Sequence, residues 1–292
     1  MKYFVLYNPM SGNGSGQSRV NALKTILTDG ELSFCDVREV GNIETFLNKI
    51  SDSDALVLAG GDGTLNRFVN DTDGMVLPEK FYYYPTGTGN DFLRDVPADD
   101  RGLILVTPYI KNLPTVTVHG KSYRFINGIG YGIDGYCCEV GDELRKTSTK
   151  PINYPMIAIK GLLFYYKPTH ATVIVDGNTY EFDKVWLTPT MNGRFYGGGM
   201  MIAPDQDRLN QERELSVCVL HQSGKLKTLC IFPSIFKGEH VKHKEIFSVL
   251  RGYDITVKFD RPVALQIDGE TVLGVTEYSV RSSVLAKEPV TV

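Results

Sequence analysis

The sequence predicts an α/β nucleotide-binding domain with a mainly parallel sheet, then a second, mainly antiparallel β domain, with the active site in the cleft between them. Three observations predict this. Strand-like and helix-like segments alternate through the first third of the chain. From about residue 113 short strands dominate. Three glycine-rich turns each follow directly on a strand of the first third, and ligands of open α/β sheets gather at the carboxyl ends of strands.

Taken in order, "KYFVLYNP" reads as a strand that leaves into the glycine-serine loop "NPMSGNGSGQS". Val20, Leu23 and Leu27 then share one face of a helix. "LSFCDVREV" reads as a second strand, and Ile43, Phe46, Leu47 and Ile50 give the i, i+3, i+4, i+7 stripe of an amphipathic helix. "DALVLA" is a continuous apolar run, as expected of a strand buried on both faces. It runs into "GGDGTLN", after which Leu65, Phe68 and Val69 begin another helical face. "KFYYYP" is a fourth strand and leads into "TGTGNDF". Beyond it, "PTVTVHG", "YRFINGIGYG", "HATVIVDGNTYEF", "KVWLTPTMN", "ELSVCVLH", "YDITVKFD" and "VALQIDGETVL" read as strands, with hairpin turns at Asp176-Gly177 and Asp268-Gly269. Helical insertions are expected near 153–166 and 225–236. The domains are expected at 1–118 and 119–280, with a last strand at about 280–292 that is free to return to the first domain.

Composition bounds the function. With 292 residues and a net charge of −3, two domains fit and no global basic field points to nucleic acid. Five cysteines, an odd number without a Cys-x-x-Cys pair, read as reduced thiols of a cytoplasmic protein. The start is too short and strand-like for a signal peptide, and no apolar run is long enough to span a bilayer.

The turns carry the chemistry. "NPMSGNGSGQSR" opens a helix and so offers backbone N–H groups and a helix dipole to an anion, but it lacks the lysine and spacing of a Walker loop. "GGDGT" repeats the geometry with a carboxylate in the turn. Asp62 there is suited to orient a magnesium-bound water or a lysine, while an Asp-Gly turn with Thr64 as helix cap explains the same residues without a ligand. In "PTGTGNDF", Asn90 or Asp91 can cap the next helix. Three such turns on neighbouring strands point to an anionic ligand arriving with a metal ion.

In that order, "NPMSG", "GGDGTLN" and "PTGTGNDF" resemble the diacylglycerol kinase catalytic domain, as found in soluble bacterial lipid kinases and in sphingosine and ceramide kinases. The resemblance continues through "INGIGYGID" (126–134), "NGRFYGGGMMIAPD" (192–205), "GEHVKHKEI" (238–246) and "LQIDGE" (265–270), so it covers nearly the whole chain. It implies transfer of the γ-phosphate of Mg-ATP to a lipid hydroxyl, diacylglycerol first among the acceptors. It implies ATP contacts at Asn8, Ser11, Gly12, Gly61, Asp62, Gly63, Thr64, Asn66, Thr88, Asn90 and Asp91. Asp268 matches the general base, with Glu270 beside it and Asp62 as the further catalytic carboxylate. One segment departs: relatives carry Asp-Asp-Gly soon after "APD" and bind a structural magnesium there. This chain has "APDQDRLNQERELSV", which leaves Glu212 and Glu214 as metal candidates beside Arg213.

The alternatives are an NAD kinase-like phosphotransferase and a non-catalytic nucleotide- or lipid-binding homologue. The expected partners are ATP and a lipid at a membrane surface, met peripherally and without a spanning helix; a homodimer stays open. "KPINYPMIAIKGLLFYYKP" (150–168) is open to two readings, a membrane-interface segment with rings at headgroup level and lysines meeting anionic lipid or a buried helix, and is expected to be mostly core with an exposed edge bearing Lys150, Lys160 and Lys167. His240 and His243 lack a third ligand at zinc spacing and read as ordinary polar contacts.

Overall fold

The computed structural model describes residues 1–147 and 152–284. The chain divides into two compact units, Met1–Asn112 and Leu113–Val292.

The first unit runs β1 (Lys2–Tyr7), α1 (Ser11–Gly14), α2 (Gly16–Val20), α3 (Leu23–Ile26), β2 (Glu31–Asp36), α4 (Ile43–Leu47), β3 (Ala55–Gly60), α5 (Asp62–Asp71), β4 (Phe81–Pro85), α6 (Asp91–Asp95), β5 (Ile104–Leu105) and α7 (Thr107–Ile110). Its sheet has the order β2-β1-β3-β4-β5, with β1 to β4 parallel and β5 antiparallel to β4. The two-residue period of β1 sends Tyr3 and Val5 into a cluster with Val20, Leu23 and Leu27. Phe4 points to the other face and meets Phe46 of α4 edge-on, with ring centroids 6.2 Å apart. Phe68 of α5 packs on Phe81 of β4 at 5.1 Å. Helices therefore cover both faces, which is why every residue of β3 is buried.

The helix expected around Val20–Leu27 is three short pieces, and the first begins inside the glycine-serine loop. Gly12 and Gly14 have positive φ (59° and 84°), which breaks the ladder. The predicted apolar face nevertheless forms: Val20, Leu23 and Leu27 are fully buried.

The second unit runs β6 (Thr115–Val118), β7 (Lys121–Arg124), β8 (Gly128–Tyr131), α8 (Ile133–Thr147) and α9 (Tyr154–Lys160), which continues as a π-helical turn, Gly161–Tyr165. Then follow β9 (Thr169–Val175), β10 (Asn178–Val185), β11 (Thr190–Met191), β12 (Leu215–Leu220), α10 (Lys225–Ile231), two 3₁₀ turns (Phe232–Lys237 and Glu239–Lys242), β13 (Phe247–Gly252), β14 (Asp254–Ile267) and β15 (Glu270–Arg281). The ten strands form one antiparallel sheet. β14 is its spine. It pairs with β15 along most of its length, with β9 over Ile255–Phe259 and with β8 over Leu265–Ile267. Register shifts between Lys258 and Leu265 mark where it bends from one partner to the other. β12 shows the two layers this makes. Leu215, Val217 and Val219 enter the core between the strands, whereas Cys218 and Leu220 face a second cluster with Leu162, Trp186 and Ile231.

Both predicted hairpins are present with positive φ at each turn residue: 49° and 82° at Asp176-Gly177, 46° and 96° at Asp268-Gly269. "YRFINGIGYG" is two strands, β7 and β8, interrupted at Phe125–Asn127. β6 pairs with β15, so residues 115–118 go with the second unit. Val280 and Arg281 also lie in β15, while residues 285–292 of the expected returning strand, like Lys150, lie outside the described residues.

The longest described helix, α8, carries Ile133, Tyr136, Cys137 and Val140 at helical spacing, interrupted by glycines and acidic residues. Its buried face is Ile133, Asp134, Gly135 and Gly141. A Cβ on Gly135 would sit 1.8 Å from the Ala264 carbonyl oxygen, so the helix packs backbone to backbone on β14. Asp134 is drawn inside with it. Its Oδ2 and the Tyr196 hydroxyl are both buried, neighbour each other, and have no other hydrogen-bond partner among the described residues. Burial pushes the Asp134 carboxyl up to about 7, and the neighbouring Tyr196 hydroxyl only partly offsets this.

That shift fixes a pH dependence. The folded state keeps a proton that the unfolded chain gives up near pH 4, so this group's contribution is full at low pH and is lost as pH rises toward 7. About 3 pH units of displacement correspond to roughly 4 kcal/mol at most. Asp134→Asn removes the ionisation, and its melting temperature is expected to fall less between pH 5 and pH 8 than that of the unsubstituted protein. Parallel pH profiles in scanning calorimetry would show that Asp134 does not titrate in this range.

Candidate functional site

β1, β3 and β4 are neighbouring parallel strands, so the turns that leave them emerge side by side and are bolted to one another. The Asn8 amide Nδ2 donates to Thr64 Oγ1 at 3.0 Å, joining the first turn to the second. Ser11 Oγ lies 2.6 Å from Thr86 Oγ1, joining the first to the third, and both hydroxyls are buried. Asp62 joins the second to the third: its two carboxylate oxygens accept from the N–H groups of Asp91 (3.0 Å) and Phe92 (3.1 Å). The glycines allow this proximity. A Cβ on Gly87 would lie 2.5 Å from the Gly61 Cα, and one on Gly12 would lie 2.5 Å from the Thr86 carbonyl oxygen.

Asp62 is thus the cap of α6, supplied from another turn. The residue at the cap position itself, Asn90, sits in the left-handed region (φ 51°) and makes no capping bond. Its Oδ1 is buried without a hydrogen-bond partner among the described residues. Gly61, not Thr64, caps α5. Gly63 lies in the first turn of α5, Asn66 is buried one turn on, and Thr88 is exposed at the tip of the third turn. Arg19, which sequence reasoning passed over, donates from Nη1 to the carbonyls of Thr86 (3.1 Å) and Gly87 (3.2 Å) and sets a guanidinium beside the cluster. Only its place at the end of the glycine-serine loop could have drawn attention to it. Chemically, the cluster combines helix-start N–H groups, a cation and an orphaned hard oxygen. That set suits a polyphosphate accompanied by a divalent ion.

In the second unit Asp268 occupies the first position of the β14–β15 turn. Its carboxylate accepts three backbone N–H bonds, from Ile126 (2.5 Å), Asn127 (2.8 Å) and Gly128 (3.0 Å). Arg208, buried and unforeseen from sequence, grips the same loop from its carbonyl side. It donates to Ile126 O (3.2 Å) and Asn127 Oδ1 (3.1 Å), while the Asn192 amide donates to Ile126 O (2.8 Å). Glu270 opens β15 at the far end of the turn and is exposed.

Glu212 and Glu214 are not gathered into a ligand set. Among the described residues no three or more His, Cys, Asp or Glu side chains group as a metal site. Glu212 Oε2 accepts from the Tyr253 hydroxyl at 3.3 Å. The loop's carbonyls, which a cation would need, already hold N–H donors: Gln206 Nε2 on Glu214 O (2.9 Å) and Arg213 Nη1 on Arg208 O (3.0 Å). Among the described residues, Glu212 and Glu214 are not assembled into a magnesium site. His240 Nε2 donates to Ile202 O at 3.0 Å, an ordinary polar contact. The Cys137 and Cys138 thiols are pushed up by burial, Cys138 to about 12, so neither is a nucleophile near neutrality.

Two family models match the chain. A diacylglycerol kinase catalytic domain matches residues 2–111, and the YegS C-terminal NAD kinase beta sandwich-like domain matches residues 127–285. "Putative lipid kinase YtlR" of Bacillus subtilis is 26% identical over 96% of both chains. A "Diacylglycerol kinase" of Mycobacterium tuberculosis is 25% identical over 84% of this chain and 81% of its own. A diacylglycerol kinase crystal structure from Bacillus anthracis shares the fold, with a TM-score of 0.63 at 20% identity, over 97% of this chain and 94% of that one. The chain belongs to the diacylglycerol kinase catalytic-domain family, in the form that carries a YegS-type C-terminal domain.

Proposed function

We propose that the protein transfers the γ-phosphate of Mg-ATP to a lipid hydroxyl, with diacylglycerol as the first candidate acceptor. The observation that carries this reading is the cross-bonded cluster of turns after β1, β3 and β4, with Arg19 and the orphaned Asn90 Oδ1 at its edge. The turn N–H groups and Arg19 would hold the phosphates, and Asn90 Oδ1 would serve as an oxygen acceptor for the accompanying cation or its water. Bound magnesium would supply neutralisation of the phosphate charge. The second unit supplies Asp268. Its carboxylate takes the proton of the lipid hydroxyl as that oxygen attacks the γ-phosphorus; the bond to the leaving oxygen breaks and ADP departs with its electron pair. The three N–H bonds to Asp268 fix where the accepting oxygens lie, so the base does not have to be ordered during the reaction.

Radiolabel followed from the γ-phosphate of ATP into mixed lipids tests the reading. Label in the diacylglycerol fraction is expected. Label in NAD would favour the NAD kinase alternative, and label in neither, with ATP still bound in calorimetry, would favour a binding module. Asp268→Asn is expected to lower kcat by about 10²–10⁴. It also turns an amide donor toward a backbone donor, so it should cost about 1–3 kcal/mol of stability. The assay is therefore run well below the variant's own melting temperature.

Chelation separates two roles of magnesium. Transfer is expected to stop in excess EDTA, because the nucleotide loses its ion. The melting temperature of the nucleotide-free protein is expected to stay unchanged, because the 203–214 loop is closed by its own donors. A fall in melting temperature on chelation would show a structural ion.

A further inference from the structure

Asp268 is held by one short segment, and that segment is itself held from behind. Ile126, Asn127 and Gly128 give their N–H groups to the Asp268 carboxylate. In a trans peptide unit, the N–H of one residue and the C=O of the residue before it share a plane and point in opposite directions. The carbonyls behind the Asn127 and Gly128 N–H groups are therefore those of Ile126 and Asn127. Both are occupied. Ile126 O accepts from Arg208 Nη1 at 3.2 Å and from Asn192 Nδ2 at 2.8 Å. Asn127 O accepts from the N–H groups of Asn192 (2.9 Å) and Gly193 (3.0 Å). Two consecutive peptide planes thus carry donors at one end and the carboxylate at the other.

Arg208 brings a charge to this arrangement. It is 7% exposed, and its Nη2 donates to Asn127 Oδ1 at 3.1 Å. Its planar fork therefore spans a backbone carbonyl and the side chain of the next residue, which fixes the orientation of the segment as well as its place. A guanidinium taken out of water is costly unless hydrogen bonds replace its hydration. A cation at the carbonyl end of a peptide group also polarises it, so the N–H at the other end donates more strongly. The loop that carries Arg208 is closed by its own bonds. Arg213 Nη1 donates to Arg208 O at 3.0 Å, and the Asn210 amide donates to Asp207 O (2.6 Å) and accepts from the Glu214 N–H (3.0 Å).

We propose that Arg208 is a positioning residue for phosphate transfer: through the Ile126–Asn127 peptide it holds the Asp268 carboxylate where the acceptor hydroxyl's proton is taken. Arg208 touches neither nucleotide nor acceptor, and its effect on the rate passes through Asp268. This deepens the lipid-kinase reading and rests on it for the chemistry; the holding of the carboxylate stands apart from it.

The test is a double-mutant cycle in the radiolabel transfer assay, on the full chain. Arg208→Ala is expected to lower kcat by about tenfold to hundredfold, the scale that a misplacement of about 1 Å costs, with the KM for ATP within about twofold of the unsubstituted protein's. In the Asp268→Asn background the same substitution should change the residual kcat by less than about twofold, because the group it positions is already lost. Arg208→Lys keeps the charge and most of the stem but not the fork, so its kcat should fall as well, and it carries the cycle should Arg208→Ala fail to fold. A kcat that is unchanged, or that falls by the same factor in both backgrounds, overturns the proposal. So does a loss confined to the KM for ATP. Amide hydrogen exchange reads the holding without activity. The N–H groups of Ile126, Asn127 and Gly128 should exchange faster in the Arg208 variant, while those of β9 in the same unit keep their rates. Unchanged exchange at the three amides overturns the proposal, and so does a general rise across the unit, which would mark a role in stability alone. Faster exchange at the three amides, in a protein that transfers phosphate to no lipid, would leave Arg208 as the support of Asp268 and remove the kinase reading instead.

Discussion

One carboxylate fixes the geometry of the first unit. Asp62 leaves β3 in one turn and caps the helix that begins in the next, taking the N–H groups of Asp91 and Phe92. A helix start has N–H groups without intrahelical partners, and a negative charge there is favoured by the dipole as well. Supplying the cap from another turn makes the two turns one body. The Asn8–Thr64 and Ser11–Thr86 bonds add the third. Each hydrogen bond contributes only about 1 kcal/mol net, but several closed around the same few glycines leave the backbone almost no freedom. Loops rich in glycine are ordinarily flexible; here they are pinned, and the positions of their N–H groups become a fixed feature that an anion can use.

The second unit repeats the device. Asp268 takes three N–H groups of the segment between β7 and β8, and Arg208 with Asn192 takes its carbonyl side. Charge-assisted bonds of this kind are about twice as strong as neutral ones. In both units a carboxylate in an Asp-Gly sequence reaches across to another loop and organises it. The residue type that looks like chemistry in the sequence therefore also carries structure, and a substitution at either position changes both.

Much of the fold is legible because its signals are local. β1 to β4 show as apolar runs, and the two Asp-Gly hairpins show as turn chemistry with positive φ at both residues. α8 was missed although Ile133, Tyr136, Cys137 and Val140 lie at helical spacing, because Asp134, Gly135 and Gly141 interrupt that period and share its buried face. β13 was missed as well. Its buried ends, Phe247 and Gly252, enclose a half-exposed stretch with no continuous apolar run. At the site, the three turns could be found by spacing alone, since parallel neighbouring strands bring their ends together. Arg19 and Arg208 could not. Each is bonded to a carbonyl far away in sequence, 67 and 82 residues off, and no local pattern encodes such a contact.

The glutamate-rich loop shows how the same end can be reached without an ion. A cation in such a loop would draw carbonyl oxygens together and so set the place of whatever the loop carries. In this chain Arg213, in the left-handed region with φ 60°, donates to Arg208 O, and Ser282 Oγ donates to Arg213 O at 2.6 Å. Arg208 in turn holds Ile126 and Asn127, whose N–H groups hold Asp268. The path from the loop to the carboxylate is unbroken and consists of protein donors throughout. A guanidinium cannot dissociate as a metal does, and it presents its N–H groups in a fixed plane. Hydrogen bonds thus link Arg213, through Arg208 and the Ile126–Asn127 segment, to the carboxylate of Asp268.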